Sequence, residues 1–159
     1  MLTLDSCRVL VAICIAVLAS PAMACSFAPG YEVFRPGPVL RPRPSLNPAP
    51  AVVVDSIERG HRGDASLCAD AGILVLRVPT DLFGYSLELV EGQFDDVVFP
   101  EGFVQPTQRG YLRFVWLDGN TDRQEPIKVV VKITTMSVTG VLSEPVLLTI
   151  EDPGRAAVR

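Results

Sequence analysis

The longest β-type segment of this chain is Ile127-Lys128-Val129-Val130-Val131-Lys132-Ile133-Thr134-Thr135. Seven of these nine residues are β-branched. Branched side chains restrict rotation about the first side-chain bond and pack well on a pleated sheet. The segment is therefore predicted to be a strand, and similar patterns occur on both sides of it.

Six other segments alternate apolar and polar residues or form short apolar runs, and glycine, proline and aspartate separate them. These predicted strands are residues 52–57, 72–78, 85–90, 96–99, 111–116 and 146–150. About seven short strands predict an all-β, two-sheet sandwich. A barrel is the alternative, although closing a barrel usually needs longer and more evenly spaced strands.

Alternate positions on these strands should face inward and fill the space between the two sheets. The predicted core residues are Ile57, Leu74, Leu76, Leu87, Leu89, Leu112, Phe114, Trp116, Val129, Val131, Ile133 and Leu148.

The C-terminal region resembles the end of a known kind of domain. Residues 128–135, then Gly140, then Ser143-Glu144-Pro145 before 146–150, are similar to the last two strands of fibronectin type III and related bacterial immunoglobulin-like domains. Those families often end in a glycine-containing hairpin followed by Ser-x-Pro and an alternating strand. The resemblance implies an immunoglobulin-like or fibronectin type III-like sandwich, with binding, spacing or adhesion as common uses.

Residues 1–24 have the parts of an export signal. Arg8 precedes an apolar run at 9–19, which is too short to cross a bilayer because a spanning helix needs about 20 residues. Ala22 and Ala24 supply the small residues that signal peptidase recognises. We predict cleavage after Ala24 and export to the periplasm or out of the cell.

Two cysteines, Cys25 and Cys68, would remain after cleavage. An even number in an oxidising compartment favours a disulfide between them. That disulfide would close a loop of about 43 residues and contribute about 4 kcal/mol, less any strain. The alternative is lipidation of Cys25 as the first mature residue, because Ala22-Met23-Ala24-Cys25 resembles a bacterial lipobox. A lipid at Cys25 would anchor the protein in the envelope.

Residues 25–50 form a Pro-rich leader with six prolines between positions 35 and 50. Proline fixes φ and donates no hydrogen bond, so an extended spacer is predicted rather than a helix or an inner strand. The sandwich is predicted at 51–152, and residues 153–159 are predicted to be a disordered tail.

The net charge is −4. It is unchanged by signal removal, because Asp5 and Arg8 cancel. An acidic chain without a basic cluster is a poor candidate for binding nucleic acid or an anionic membrane surface. Membrane association is therefore expected only if Cys25 is lipidated.

The single histidine, His61, lies in a polar loop with Asp64 and Asp70 nearby in sequence. A Ser-His-Asp arrangement is formally possible, but no nucleophile motif accompanies it, and an exposed loop histidine is the preferred interpretation. The same loop contains Arg62-Gly63-Asp64, the integrin tripeptide, which is too short to carry weight. One histidine and two cysteines cannot form an ordinary closed zinc site without carboxylates.

Side chains with carboxylate or amide oxygens form two loose groups. The first contains Glu91, Asp95, Asp96 and Glu101, and the second contains Asp118, Asn120 and Asp122. The second has the spacing that begins a calcium loop, but the remaining EF-hand positions do not match. Turn chemistry is the preferred interpretation of Asp118-Gly119-Asn120.

Tyr85, Tyr111 and Phe103 could line a surface for a sugar or a peptide, although core packing explains most aromatic residues here. We therefore predict a non-catalytic exported protein without cofactor or metal, which binds a protein or glycan partner of the envelope or has a structural or adhesive role. The alternatives are a carbohydrate-binding module, or a small protease inhibitor or hydrolase with a loop site.

Overall fold

The computed structural model describes residues 28–37, 43–60, 71–94, 98–118 and 124–155. Several predictions concern residues outside these ranges. They are the signal peptide with its cleavage site at Ala24, Cys25, Cys68, His61, Arg62-Gly63-Asp64, Asp70, Asp95, Asp96, Asn120 and Asp122.

The described ranges contain ten strands and no helix. The strands are β1 (Tyr31–Phe34), β2 (Arg43–Pro48), β3 (Val53–Glu58), β4 (Ala71–Arg77), β5 (Gly84–Glu91), β6 (Phe103–Pro106), β7 (Tyr111–Leu117), β8 (Ile127–Met136), β9 (Val141–Glu144) and β10 (Val146–Asp152).

The strands form two sheets. The three-stranded sheet has the order β3-β4-β7. The seven-stranded sheet has the order β1-β6-β5-β8-β9-β2, and β10 also pairs with β8. This arrangement confirms the predicted all-β sandwich.

Strand β8, the predicted segment 127–135 extended to Met136, organises the seven-stranded sheet. It pairs with β5 along one side and with β10 and β9 along the other. Pro145, which has no N–H, separates β9 from β10. Near this break, the Thr135 amide of β8 donates to the side-chain hydroxyl of Ser143 at 3.0 Å. The hairpin between β8 and β9 turns at Gly140, whose φ of +78° favours glycine.

The core agrees with the prediction at most positions. Nine of the twelve predicted residues are buried, and Ile57 and Leu148 pack against them while partly exposed. Leu89 was predicted wrongly, since its side chain is 37% exposed. Within the described ranges, β6 pairs with β5 only at Tyr85, so no strand continues beside that edge as far as Leu89.

The N-terminal part of the sandwich differs from the predicted spacer. Strand β1 pairs with β6, and β2 runs parallel to β9 at the edge of the sheet. An edge strand tolerates proline because one side of its backbone needs no ladder bonds. Backbone bonds from Arg43 to Gly140 and from Ala49 to Glu144 hold it in place. The sheets therefore include residues before position 51.

Two other local predictions were wrong. Of the predicted strand 96–99, residues 96 and 97 lie outside the described ranges, while Val98 and Phe99 are buried without belonging to a strand, and β6 forms at Phe103–Pro106. The disordered tail predicted at 153–159 begins too early. Arg155 belongs to the folded part, because it exchanges two backbone hydrogen bonds with Gln124. Short segments with few apolar residues give little period-two signal, so their strand pairing is difficult to predict.

Tyr85 stabilises the crossover from one sheet to the other. Residues 78–83 leave β4 in the three-stranded sheet and enter β5 in the seven-stranded sheet. The buried Tyr85 hydroxyl donates to the Pro79 carbonyl and closes this corner. Burial, with the nearby Asp81 charge as a smaller cause, raises the pKa of Tyr85 far above its ordinary value, so the hydroxyl remains a donor.

Gly72 gives a test of the packing between adjacent strands. Its register partner on β7 is Trp116, and a Cβ at position 72 would overlap the indole ring. Gly72→Ala should lower the free energy of unfolding by about 1–3 kcal/mol, because added volume in a packed core forces its neighbours to move. Urea unfolding followed by tryptophan fluorescence measures the change. Gly37→Ala is the control, since a Cβ there meets no atom within 4 Å; equal losses in both variants would contradict the packing argument.

Candidate functional site

Asp118, a predicted turn residue and possible calcium ligand, is the centre of a buried polar cluster. Its carboxylate accepts two bonds of 2.9 Å from Arg59 and one of 2.8 Å from the Gly60 amide. It also accepts from the Trp116 indole at 3.2 Å and from the Gln124 side chain at 3.1 Å. Both carboxylate oxygens are therefore engaged by protein donors.

Arg59 extends this cluster to the other sheet. Its guanidinium donates to Asp152 at 2.7 Å and to the Glu125 carbonyl at 3.1 and 3.2 Å. The Arg59 and Asp118 side chains are only 10% and 5% exposed. Burial lowers the pKa of Arg59, but the hydrogen bonds and charges of Asp118 and Asp152 outweigh burial and raise the pKa above its ordinary value. We call Arg59, Gly60, Trp116, Asp118, Gln124 and Asp152 the Asp118 clamp.

The hydrogen bonds of the clamp explain how the buried Asp118 carboxylate is stabilised without a metal ion. Every oxygen of its carboxylate already has a donor, so a cation would have to displace Arg59, which carries its own charge. Across the described ranges, no group of three or more His, Cys, Asp or Glu residues is arranged to hold a metal ion. Arg59 and Asp118 are 59 positions apart, and no local pattern in the sequence indicates their contact.

The predicted aromatic surface does not form. Tyr85 is buried in the core, and Tyr111 lies partly buried on the outer face of the three-stranded sheet. Phe103 packs against Phe34, with ring centroids 6.0 Å apart. Because these rings lie on different sheets or face different neighbours, they do not make a single stacking strip, and for Tyr85 the alternative of a stacking surface is excluded by its burial in the core.

A groove beside β5 is the candidate binding site. The cavity has a volume of about 490 Å³ and lies between residues 86–89 on one side and Phe94 and residues 98–102 on the other. We call this the β5 groove. Its position follows from the short pairing of β5 with β6, since only Tyr85 and Val104 are in register there.

Among the described residues, the groove presents a strand edge of β5 that no other strand pairs with beyond Tyr85. The Thr135 amide faces Ser143 on β9, away from its register partner Tyr85 on β5. Residues of an antiparallel strand alternate in the neighbour to which their N–H and C=O groups point. The N–H and C=O groups of Tyr85 therefore face β6, and those of Leu87 and Leu89 face the groove.

Aromatic rings form the floor of the groove. Phe94 lies 6.1 Å from Phe99 and 5.5 Å from Trp116, measured between ring centroids. Phe99 makes an edge-to-face contact of 5.0 Å with the buried Phe114. The floor is thus continuous with the core, and packed rings hold its shape.

The rim of the groove is acidic. Glu88 and Glu101 both line it, and Glu88 pairs with Lys132 across the sheet at 2.5 Å. From the first predicted acidic group, the structure therefore places Glu101 at the groove and Glu91 at the end of β5. The combination of apolar floor, acidic rim and open edge suits a ligand that supplies backbone hydrogen bonds and apolar side chains.

No family model, curated protein or solved structure matches this chain. In the part that the structure describes, there is also no helix capable of crossing a bilayer.

The Asp118 clamp predicts a large loss of stability on removing one charge. Asp118→Ala should lower the free energy of unfolding by about 3–5 kcal/mol, because Arg59 would be left buried with an incomplete set of partners. Urea unfolding measures this, and Glu151→Ala, which breaks an exposed pair with Lys128, should leave the midpoint unchanged.

Calcium should not change the melting temperature of the unmodified protein, because protein donors already occupy both oxygens of the Asp118 carboxylate. A rise in melting temperature with calcium that is lost on adding EDTA would contradict this account of the clamp.

Proposed function

We propose that this chain is a non-catalytic, exported binding domain of the immunoglobulin-like or fibronectin type III-like kind, which holds an extended segment of a partner protein in the β5 groove. The observation that carries the proposal is the edge of β5 at Leu87 and Leu89, which no strand of the described ranges pairs with, beside a preformed apolar cavity.

The strand order supports the immunoglobulin-like assignment. In that fold, strands A, B and E share one sheet, while C, F and G form the other, with C′ added beside C in some members. Here β3, β4 and β7 take the places of A, B and E, and β6, β5, β8 and β10 take those of C′, C, F and G. Strands β1 and β2 are additions at the two edges of the larger sheet.

Addition of a strand is the binding mode that fits this site. An exposed strand edge has unpaired N–H and C=O groups, and an extended peptide satisfies them by joining the sheet. The four groove residues of β5 span about 13 Å at about 3.3 Å each, so the groove suits a segment of four or five residues. Alternate side chains of that segment would face Phe94 and Phe99, and Glu101 would favour a basic residue at the rim.

The side chains of the groove support binding rather than acid–base chemistry. Among the described residues that line it, only Glu88 and Glu101 carry charged side chains, and Glu88 is already paired with Lys132. Neither a histidine nor a cysteine is among these described lining residues, so Ser86 has no histidine beside it there to activate it as a nucleophile.

The proposal includes export, followed either by a disulfide between Cys25 and Cys68 or by lipidation of Cys25. Gly30 is bonded to Arg113 of β7, and Ala71 is in register with Leu117 of the same strand, about 13 Å further along. Gly30 is five positions from Cys25 and Ala71 is three positions from Cys68, spans of up to about 17 and 10 Å. These lengths permit the Cys25–Cys68 disulfide, while a lipid on Cys25 would instead hold the sandwich close to a membrane.

Mass spectrometry of the exported protein tests this part of the proposal. We expect a chain that begins at Cys25 and is two hydrogens lighter than its reduced form, because both cysteines are oxidised. A diacylglycerol adduct on Cys25 would contradict the disulfide, and retention of residues 1–24 would contradict export through this signal. Cys68→Ser is the control, since it should abolish the two-hydrogen difference.

Titration with a basic extended peptide tests the groove. The probe is a capped hexapeptide of alternating lysine and valine, and the backbone amides of Leu87 and Leu89 should shift in ¹H–¹⁵N NMR spectra. A short peptide buries little area, so we expect a dissociation constant of about 0.1–1 mM. Leu89→Lys should weaken binding at least about tenfold, which is about 1.4 kcal/mol.

Leu147→Lys is the matched control, because Leu147 is an exposed leucine of the same sheet, 68% accessible and outside the groove. It should bind the peptide as the unmodified protein does. Equal losses in both variants, or amide shifts centred away from β5, would contradict the proposed site.

A further inference from the structure

The outer face of the three-stranded sheet is apolar where solvent should favour polar residues. On its central strand β4, the outward residues are Ala71, Ile73 and Val75, followed by Arg77 at the end of the strand. The outer face of the seven-stranded sheet is different, because ion pairs between Lys132 and Glu88 and between Lys128 and Glu151 cross it. An antiparallel sheet with one wet face normally alternates apolar and polar residues.

The sequence of β4 is also typical of a strand covered on both faces. Residues 71–76 form one uninterrupted run without a polar side chain, a pattern that indicates burial on two sides. The inward residues Leu74 and Leu76 are buried, with 1% and 0% exposure. Of the described residues, however, none forms a second layer over Ile73 and Val75, which are only partly buried.

The neighbouring strands extend this apolar face. Val53 of β3 is 38% exposed, Leu117 of β7 is 68% exposed, and Tyr111 and Val115 are partly buried beside β4. A shallow cavity of about 470 Å³ crosses the three strands and reaches Gly30, Thr107 and Gln108. We call the outward side of β3, β4 and β7 the β4 face.

Charges on the β4 face are separated by strand. Asp55 and Glu58 lie on β3, and Arg113 lies on β7, with Ile73 and Val75 between them. Ser56, Val75 and Arg113 are register partners across the three strands. The bulge that contains Asp55, next to Ser56, therefore lies at the same position along the strand direction as Arg113. No ion pair joins these acidic residues to Arg113 within the described part of one chain.

We propose that the β4 face binds a second copy of this chain, face to face, about a two-fold axis parallel to β4. This rotation exchanges the two sides of the sheet and places β3 of each copy over β7 of the other. Asp55 then lies over Arg113 of the second copy, twice, while Ile73 and Val75 of both copies become buried. Arg77 of one copy approaches Arg77 of the other, but only at the end of β4, where solvent screens the repulsion between the two charges.

A face-to-face arrangement also fits better than pairing through strand edges. The free edge of β3 is interrupted by the bulge between Val54 and Ser56, with Asp55 in it. Bulges and charges are the features that prevent edge-to-edge pairing. A two-fold axis across the strands, instead of along them, would place β3 over β3 and bring acidic residues together.

The size of the face sets the expected affinity. Three strands at about 4.8 Å and seven residues at about 3.3 Å give a face of about 14 by 23 Å. Such an area is below that of standard stable interfaces, so the dimer should be weak and should form at about 0.1–1 mM. The β5 groove is in the other sheet, so loss of dimerisation at the β4 face can be distinguished from loss of peptide binding at the groove.

Sedimentation velocity of the mature chain from about 10 μM to about 1 mM tests the dimer, because that range brackets a weak interface. The unmodified protein should shift from monomer to dimer, and Ile73→Lys should remain monomeric throughout. Val130→Lys is the matched control, since Val130 is a partly buried outward valine on the central strand of the other sheet. It should dimerise as the unmodified protein does.

A charge exchange identifies the orientation. Asp55→Arg alone and Arg113→Glu alone should each weaken the dimer at least about tenfold, because each leaves like charges opposed across the interface. The double variant should recover most of the affinity. A protein that is monomeric at about 1 mM, an Ile73→Lys variant that still dimerises, or a double variant without recovery would each overturn the proposal.

Discussion

The buried carboxylate of Asp118 is the constraint on which one end of this sandwich depends. A charge that is 95% removed from solvent is tolerated only when donors surround it, and the donors here come from the loop after β3, from β7 and from the segment before β8. Through Arg59 the same cluster reaches Asp152 at the end of β10. Both sheets and the chain around Gln124 are therefore held together by one set of hydrogen bonds, and the packed core does not have to position this end by itself.

The two proposed surfaces have the same physical origin, because each is a place where the sandwich leaves part of itself uncovered. At β5 the uncovered groups are polar, since β6 departs after one register pair and, in the part of the chain that the structure describes, no strand pairs with Leu87 and Leu89 on the side away from β8. At β4 the uncovered groups are apolar, since Ile73 and Val75 face outward without a second layer among the described residues. The first surface therefore suits a ligand that brings backbone hydrogen bonds, and the second suits one that brings apolar area. Both proposals therefore assign binding to the sheets of the domain and not to its loops.

Sequence patterns predicted the central strands well because period-two alternation reports directly which side chains are buried. Strands β4, β7, β8 and β10 and residues such as Leu74, Phe114 and Ile133 follow that rule. The prediction failed where pairing depends on a distant partner. Strand β2 contains two prolines and has no alternation, yet it joins the edge beside β9 because the hairpin after β8 offers backbone groups there. Leu89 alternates correctly but stays exposed, since its burial depends on how far β6 extends.

The sequence by itself determined the all-β class, the positions of the main strands and the residues of the core, because these follow from local alternation, β-branching and turn residues. Its N-terminal residues also predict export and leave the fate of Cys25 open. Only the tertiary structure decided which strands are neighbours, and with that the edge at β5, the β4 face and the clamp. Arg59 and Asp118 are 59 positions apart. Their contact follows from the way the sheets pack, and a one-dimensional pattern contains no information on that packing.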